Sequence, residues 1–105
     1  MKTSIKHWTF MLSTVLFCGS TPVLAQQTDF QNLLNMCKAC HGDTGESQFS
    51  SIPNLKYQNA DYLSAQLNAF KSGQRTDKTM TKVAALLSEQ DMQNMAKYFS
   101  EGKGQ

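Results

Sequence analysis

From residue 28 onward, apolar positions recur at helical intervals. Phe30, Leu33, Leu34, Cys37 and Cys40 follow at three- and four-residue steps and share one face. Thr28 with Gln31 forms a capping-box signal, and Asp29 sits where the helix dipole favours an acid, so the pattern predicts a helix over 28–40. Gly42 is placed to end it in a left-handed cap just after His41. A second stripe, Tyr62, Leu63, Gln66, Leu67 and Phe70, predicts a helix from Ala60 to Ser72, with Asn59 as N-cap and Gly73 as stop. Thr81 to Leu87 read as a short helix with Val83, Ala84 and Leu87 inward. Ser88 with Asp91 opens a last helix lined by Met92, Met95, Ala96 and Phe99, and Gly102 and Gly104 end it. Phe30 and Leu33 against Met95 and Phe99 would close the fold. Residues 43–59 and 74–79 are polar loops, and Ile52-Pro53-Asn54-Leu55 is the one apolar cluster in the first of them. A loop that long is uncommon in a compact domain unless it packs around something. With no hairpin signal, repeat or linker, the chain reads as all-α and one domain.

The stretch before residue 28 has a different character. Lys2 and Lys6 precede an 11-residue, largely apolar run from Trp8 to Cys18, then Gly19, Ser20, Pro22 and the small-residue pattern Val23-Leu24-Ala25. That order of parts predicts a secretory signal peptide over residues 1–25, cut before Gln26, leaving 26–105 as the domain. The run falls short of the ~20 residues that span a bilayer. Lipid attachment at Cys18 is disfavoured by bulky Phe17, which stands where such signals carry a small residue.

Cleavage changes the composition that matters. The 105-residue chain is formally +2, but losing Lys2 and Lys6 leaves eight basic and eight acidic residues. No basic run survives, so nothing points to nucleic acid. The mature domain keeps two cysteines and one histidine. About 80 residues is also small for a self-sufficient core, and chains of that size often depend on a staple or a cofactor.

All three of those groups stand together as Cys37-Lys38-Ala39-Cys40-His41. C-x-x-C-H is the pattern of c-type haem attachment. Each thiol adds to one porphyrin vinyl group, and the next residue falls beneath the ring, where its imidazole can bind iron. A redox dithiol expects a βαβ setting, and a zinc site wants four ligands where three are present. With His41 the sole histidine, the sixth iron position falls to methionine, another weak ligand, water or nothing. Met36 belongs to the proximal segment, and Met92 and Met95 share a helical face with Phe99 as core filler. Met80 ends a polar loop 39 residues after His41, either as a ligand or as a helix-start contact with the core.

Helix, C-x-x-C-H-G, a proline loop, helix, a methionine-bearing loop and a C-terminal helix resemble the class I c-type cytochromes. Cys40-His41-Gly42, Ile52-Pro53-Asn54-Leu55, Tyr62-Leu63, Gln66-Leu67, Phe70, Gly73, Arg75, Met80 and Leu87-Ser88 are similar to bacterial periplasmic members, in particular to one half of the two-haem cytochromes. The resemblance implies a cytochrome c fold of about four to five helices around one covalent haem c. It implies Cys37 and Cys40 as attachment points, His41 and Met80 as axial ligands, and the Pro53 carbonyl as acceptor for the histidine ring. Arg75 is either a partner for a haem propionate or a solvated loop arginine.

The function expected is a periplasmic one-electron carrier, not an enzyme, acting as a monomer or within transient complexes. Donor and acceptor proteins would dock at the haem edge near the thioethers, with lysines such as Lys38 and Lys56 steering them. A haem subunit of a larger periplasmic oxidoreductase is the alternative, and a gas-binding or peroxidatic protein with a displaceable Met80 is the third reading. After cleavage no membrane insertion is expected.

Overall fold

The computed structural model describes Gly19 and residues 23–104, with side chains from Asp29 onward. The leader expected over residues 1–25 lies largely outside the described residues. Four helices follow in order: α1 (Val23–His41), α2 (Ala60–Ser72), α3 (Met80–Ala84) and α4 (Glu89–Glu101). Among the described residues there is no strand, and no helix is long and apolar enough to cross a membrane.

α1 begins at Val23, not at Thr28, so Thr28 is interior to the helix and is not its cap. Leu24, Ala25, Gln26 and Gln27 are all strong helix formers, and Pro22 stands just before the first turn, where proline is tolerated. The remaining boundaries follow local chemistry closely. The Asn59 side chain accepts the Tyr62 N–H at the start of α2, and Gly73 ends it in the left-handed region. At α4, Ser88 and Asp91 cap each other reciprocally, satisfying amides the helix leaves unpaired. α3 starts one residue earlier than expected and ends at Ala84, and Leu87 continues in a turn through its N–H to the Ala84 carbonyl.

α4 lies at the centre of the packing. Its Met92, Met95, Ala96 and Phe99 are buried and join Leu34 of α1, Leu63 of α2 and Leu87 in one cluster, with Phe30, Leu33 and Cys37 against its margin. The expected meeting of α1 and α4 is therefore present. Each large side chain buried here is worth roughly 1.5–3 kcal/mol over exposure, and Phe99→Ala would cost about 3–5 kcal/mol.

The loop after α1 folds back on itself through two glycines. Gly42 has φ +88°, and a Cβ there would stand 2.0 Å from the Glu46 carbonyl oxygen. Gly45, buried at φ +90°, accepts the N–H groups of Leu55 (2.7 Å) and Lys56 (3.1 Å), and a Cβ would meet the Lys56 nitrogen at 2.7 Å. Tyr57 N–H then bonds the Phe99 carbonyl, and Tyr98 Oη donates to the Asp43 carbonyl. Residues 42–57 are thus tied to themselves and to α4.

Candidate haem site

One cleft of about 540 Å³ gathers residues from every part of this arrangement, within the range of small-ligand sites. Cys37, Cys40 and His41 come to it from the last turn of α1, Pro53 from the long loop, Arg75 from the loop after α2 and Met80 from the start of α3. All six residues expected from the sequence line this one space. Leu63, Leu67, Phe70 and Phe99 give it apolar walls, and half-exposed Tyr62 stands at its mouth.

The proximal side is rigidly built. His41 is the one buried polar residue among those described, and its Nδ1 lies 2.8 Å from the Pro53 carbonyl oxygen. A carbonyl can only accept, so Nδ1 carries the proton and Nε2 is the nitrogen free for a metal. The carbonyl is held in turn by its neighbours. Asn54 Oδ1 accepts the Ser47 N–H at 2.7 Å, and Ser47 Oγ donates to the Cys40 carbonyl at 3.2 Å. Sequence reading named Asn54 only as part of the Ile52–Leu55 cluster, with no role of its own, and did not name Ser47; a serine in a polar loop gives little signal until the loop is seen to close.

Cys37 and Cys40 are both free thiols. Burial pushes the Cys37 thiol up to about 11, helped by the nearby Cys40 and opposed by a backbone hydrogen bond, so it is protonated at neutral pH. Among the described residues no group of three or more His, Cys, Asp and Glu converges as a metal cage, which leaves the zinc alternative without a ligand set.

On the distal side the structure adds a residue the sequence did not flag. Asp77 Oδ1 accepts the N–H groups of both Thr79 and Met80 at 2.8 Å, and its own N–H donates to Thr81 Oγ1 at 3.0 Å. These bonds, from Met80 first and then Thr79, hold the Asp77 carboxyl below the usual carboxylate range. The carboxylate caps the turn that presents Met80. An Asp three residues before the methionine is a cap signal visible in sequence. Arg75 is fixed as well: its guanidinium lies 4.6 Å over the Phe70 ring and donates to Gln66 Oε1 at 2.7 Å.

The two lysines expected to steer partners are engaged locally. Lys38 pairs with Asp43 at 2.5 Å, which raises its pKa against the opposing effect of desolvation, and Lys56 pairs with Glu46 at 3.4 Å. Their field beside the attachment motif is largely cancelled, because the loop turns a carboxylate back onto each.

The residues present fit a covalent haem. Two unpaired thiols, a histidine with an oriented ring and a methionine face one apolar-walled space, and His41 and Met80 come to it from separate segments. The family model described as cytochrome c matches residues 28–103. The chain is 40% identical over 68 residues to cytochrome c4 of Pseudomonas aeruginosa, covering 65% of this chain and 34% of that one. It is 36% identical over 80 residues to the thiosulfate dehydrogenase electron acceptor of Stutzerimonas stutzeri, covering 73% and 37%. With cytochrome c-554(548) of Halomonas halodenitrificans it shares 36% over 73 residues, covering 67% and 88%. The chain thus spans about a third of the first two relatives and most of the third. An all-helical fold, the C-x-x-C-H motif set in an apolar cleft and these matches agree that the chain belongs to the cytochrome c family, whose prosthetic group is a covalently bound haem c.

Proposed function

We propose that this chain is a periplasmic one-electron carrier with His41 and Met80 as axial ligands. The observation that carries the reading is the convergence of Cys37, Cys40, His41 and Met80 on one cleft. Cys37 and Cys40 would each form a thioether, Arg75 would meet a propionate at the cleft mouth, and the Pro53 carbonyl would keep the imidazole in one plane. The haem, when bound, supplies a one-electron couple between ferric and ferrous iron. Everything else falls to the polypeptide. A thioether sulfur favours the ferrous form, and the apolar walls disfavour the additional charge of the ferric form. The Pro53 hydrogen bond opposes them by strengthening the histidine as a donor. Ligands fixed from both sides change little between oxidation states, which keeps the exchange fast.

The carrier is not an enzyme in this reading, since no substrate bond is made or broken. Donor and acceptor are other redox proteins, bound transiently. Residues 1–25 would direct export and be removed, and among the described residues no helix is long and apolar enough to cross a membrane. The relative named as the electron acceptor of thiosulfate dehydrogenase supports a role beside an oxidoreductase, either as free carrier or as subunit. Absorption and electron-spin spectra of the purified protein in both oxidation states test the reading. Low-spin His/Met signatures are expected in each, and a high-spin or water-ligated ferric form would overturn it.

A further inference from the structure

We propose that Lys71 is a positioning residue for the distal ligand: its ammonium holds the Leu87 carbonyl, closes the segment that carries Met80, and so sets how long the iron keeps its methionine. This rests on the reading of Met80 as axial ligand. Residues 71–79 are all exposed and Met80 is only half-buried, so packing fixes this side of the cleft weakly. The segment leaves α2 through Gly73, left-handed at φ +82° and with open space where a Cβ would point. It is anchored again at Ala84 and Leu87, both buried. Arg75 stays on α2 through its N–H to the Ala69 carbonyl (3.0 Å) and its side chain to Gln66. Beyond Arg75 the bonds turn inward. Among the described residues, every hydrogen bond made by residues 76–87 stays within that stretch except one, from Lys71 Nζ to the Leu87 carbonyl.

A lysine in the last turn of a helix ordinarily does no more than complement the helix dipole. Lys71 differs, because it reaches from α2 to a carbonyl 16 residues further on. Leu87 is 1% exposed, and its N–H is committed to the Ala84 carbonyl. Its own carbonyl has no backbone donor among the described residues, since the amides of Asp91 and Met92 both go to Ser88. The ammonium therefore satisfies an acceptor that nothing else reaches, through a charge-assisted bond stronger than a neutral one. For the sulfur to leave the iron, the segment must move away from α2, whose Gln66, Leu67 and Phe70 line the cleft. The bond from Lys71 to Leu87 resists that movement, with Gly73 as the hinge at the other end.

The test uses ferric holoprotein and imidazole, which takes the sixth position only after the sulfur has left. At saturating imidazole the observed rate becomes that of Met80 leaving the iron. Lys71→Met keeps the apolar stem and removes the donor, Lys71→Arg keeps a charged donor, and Lys97→Met is the control for a lost surface lysine. Lys71 is exposed, so neither change at it disturbs the core, and helicity checks this. Lys71→Met should raise the limiting rate roughly tenfold, as expected when a buried carbonyl loses its donor. Lys71→Arg should recover most of the difference, and Lys97→Met should match the wild type. Amide exchange separates positioning from general stability. In Lys71→Met, Thr79 and Met80 should exchange faster while Leu55 and Lys56 keep the wild-type rate. A limiting rate unchanged by Lys71→Met, an equal rise in Lys71→Arg, or equal acceleration at all four amides would overturn the role of Lys71 and leave Met80 as ligand. A wild-type ferric protein without the sulfur-to-iron charge-transfer band would instead refute the ligand reading itself.

Discussion

The Met95 sulfur of α4 lies 4.0 Å from the Cys37 sulfur of α1. A methionine other than Met80 therefore touches the haem attachment motif, and Met95 lines the same cleft. Burial separates the two. Met95 is 1% exposed and part of the core cluster, whereas Met80 is only half-buried and sits on the rim at a helix start.

That contrast predicts different outcomes for the same substitution. Met80→Ala should lose the weak sulfur-to-iron charge-transfer band of the ferric form, lower the potential, and let the ferrous form bind carbon monoxide. Met92→Ala and Met95→Ala should keep the band and lose about 2–5 kcal/mol of stability, as buried Met→Ala changes do. A band that survives Met80→Ala and disappears in either of the others would place the ligand in the core.

Asp77 gives a prediction about how Met80 is presented. Asp77→Ala should weaken the charge-transfer band and increase carbon monoxide binding, although Asp77 is no iron ligand. Asp77→Asn, which keeps one acceptor oxygen, should restore much of both. The sign of the pH effect follows from the depressed carboxyl. The cap is present above the ordinary value of 3.8 and is lost only as pH falls through the lower folded-state value. The wild-type band should thus persist into mild acid and fade below it, and Asp77→Asn should lack that acid step.

On the proximal side, Asn54→Ala should leave both thioethers in place and raise the reduction potential. Without its bond to Ser47, the loop holds the Pro53 carbonyl less firmly against His41, and a weaker bond at Nδ1 makes the imidazole a poorer donor to ferric iron. Electrochemistry of the variant checks this. A lowered potential would mean that Asn54 has no part in orienting the ring.

Processing can be read by mass spectrometry of the exported protein. The chain should begin at Gln26 and exceed the polypeptide mass by one haem. A product retaining residues 1–25 would remove the proposed leader.

Where short-range chemistry decides, the sequence was informative. The bounds of α2, the Asn59 cap, the Ser88–Asp91 box and the left-handed glycines 42 and 73 each depend on neighbours within a few residues. The C-x-x-C-H motif was legible for the same reason. What escaped notice depends on chain returning from a distance. Lys38 and Lys56 look free in a linear reading, and only the turn through Gly45 brings Glu46 to Lys56. Asn54 gains its role from the same closure. Asp77 is different: its target is three residues away, and reading its loop as merely polar hid the cap.

The Gly45 crossing also bears on the order in which the molecule comes apart. Its bonds to Leu55 and Lys56, with Tyr57 on Phe99 and Tyr98 on Asp43, fasten the proximal loop to itself and to the last helix. The segment bearing Met80 is secured by shorter-range bonds: Arg75 to Ala69 and Gln66, and Asp77 to Thr79, Met80 and Thr81. Local opening starts where the fewest distant bonds must break. Amide exchange should therefore run ahead at Thr79 and Met80 and lag at Leu55, Lys56 and Tyr57. The iron would lose its methionine in brief excursions while its histidine stayed in place, so the two faces of one cofactor would sit on different clocks.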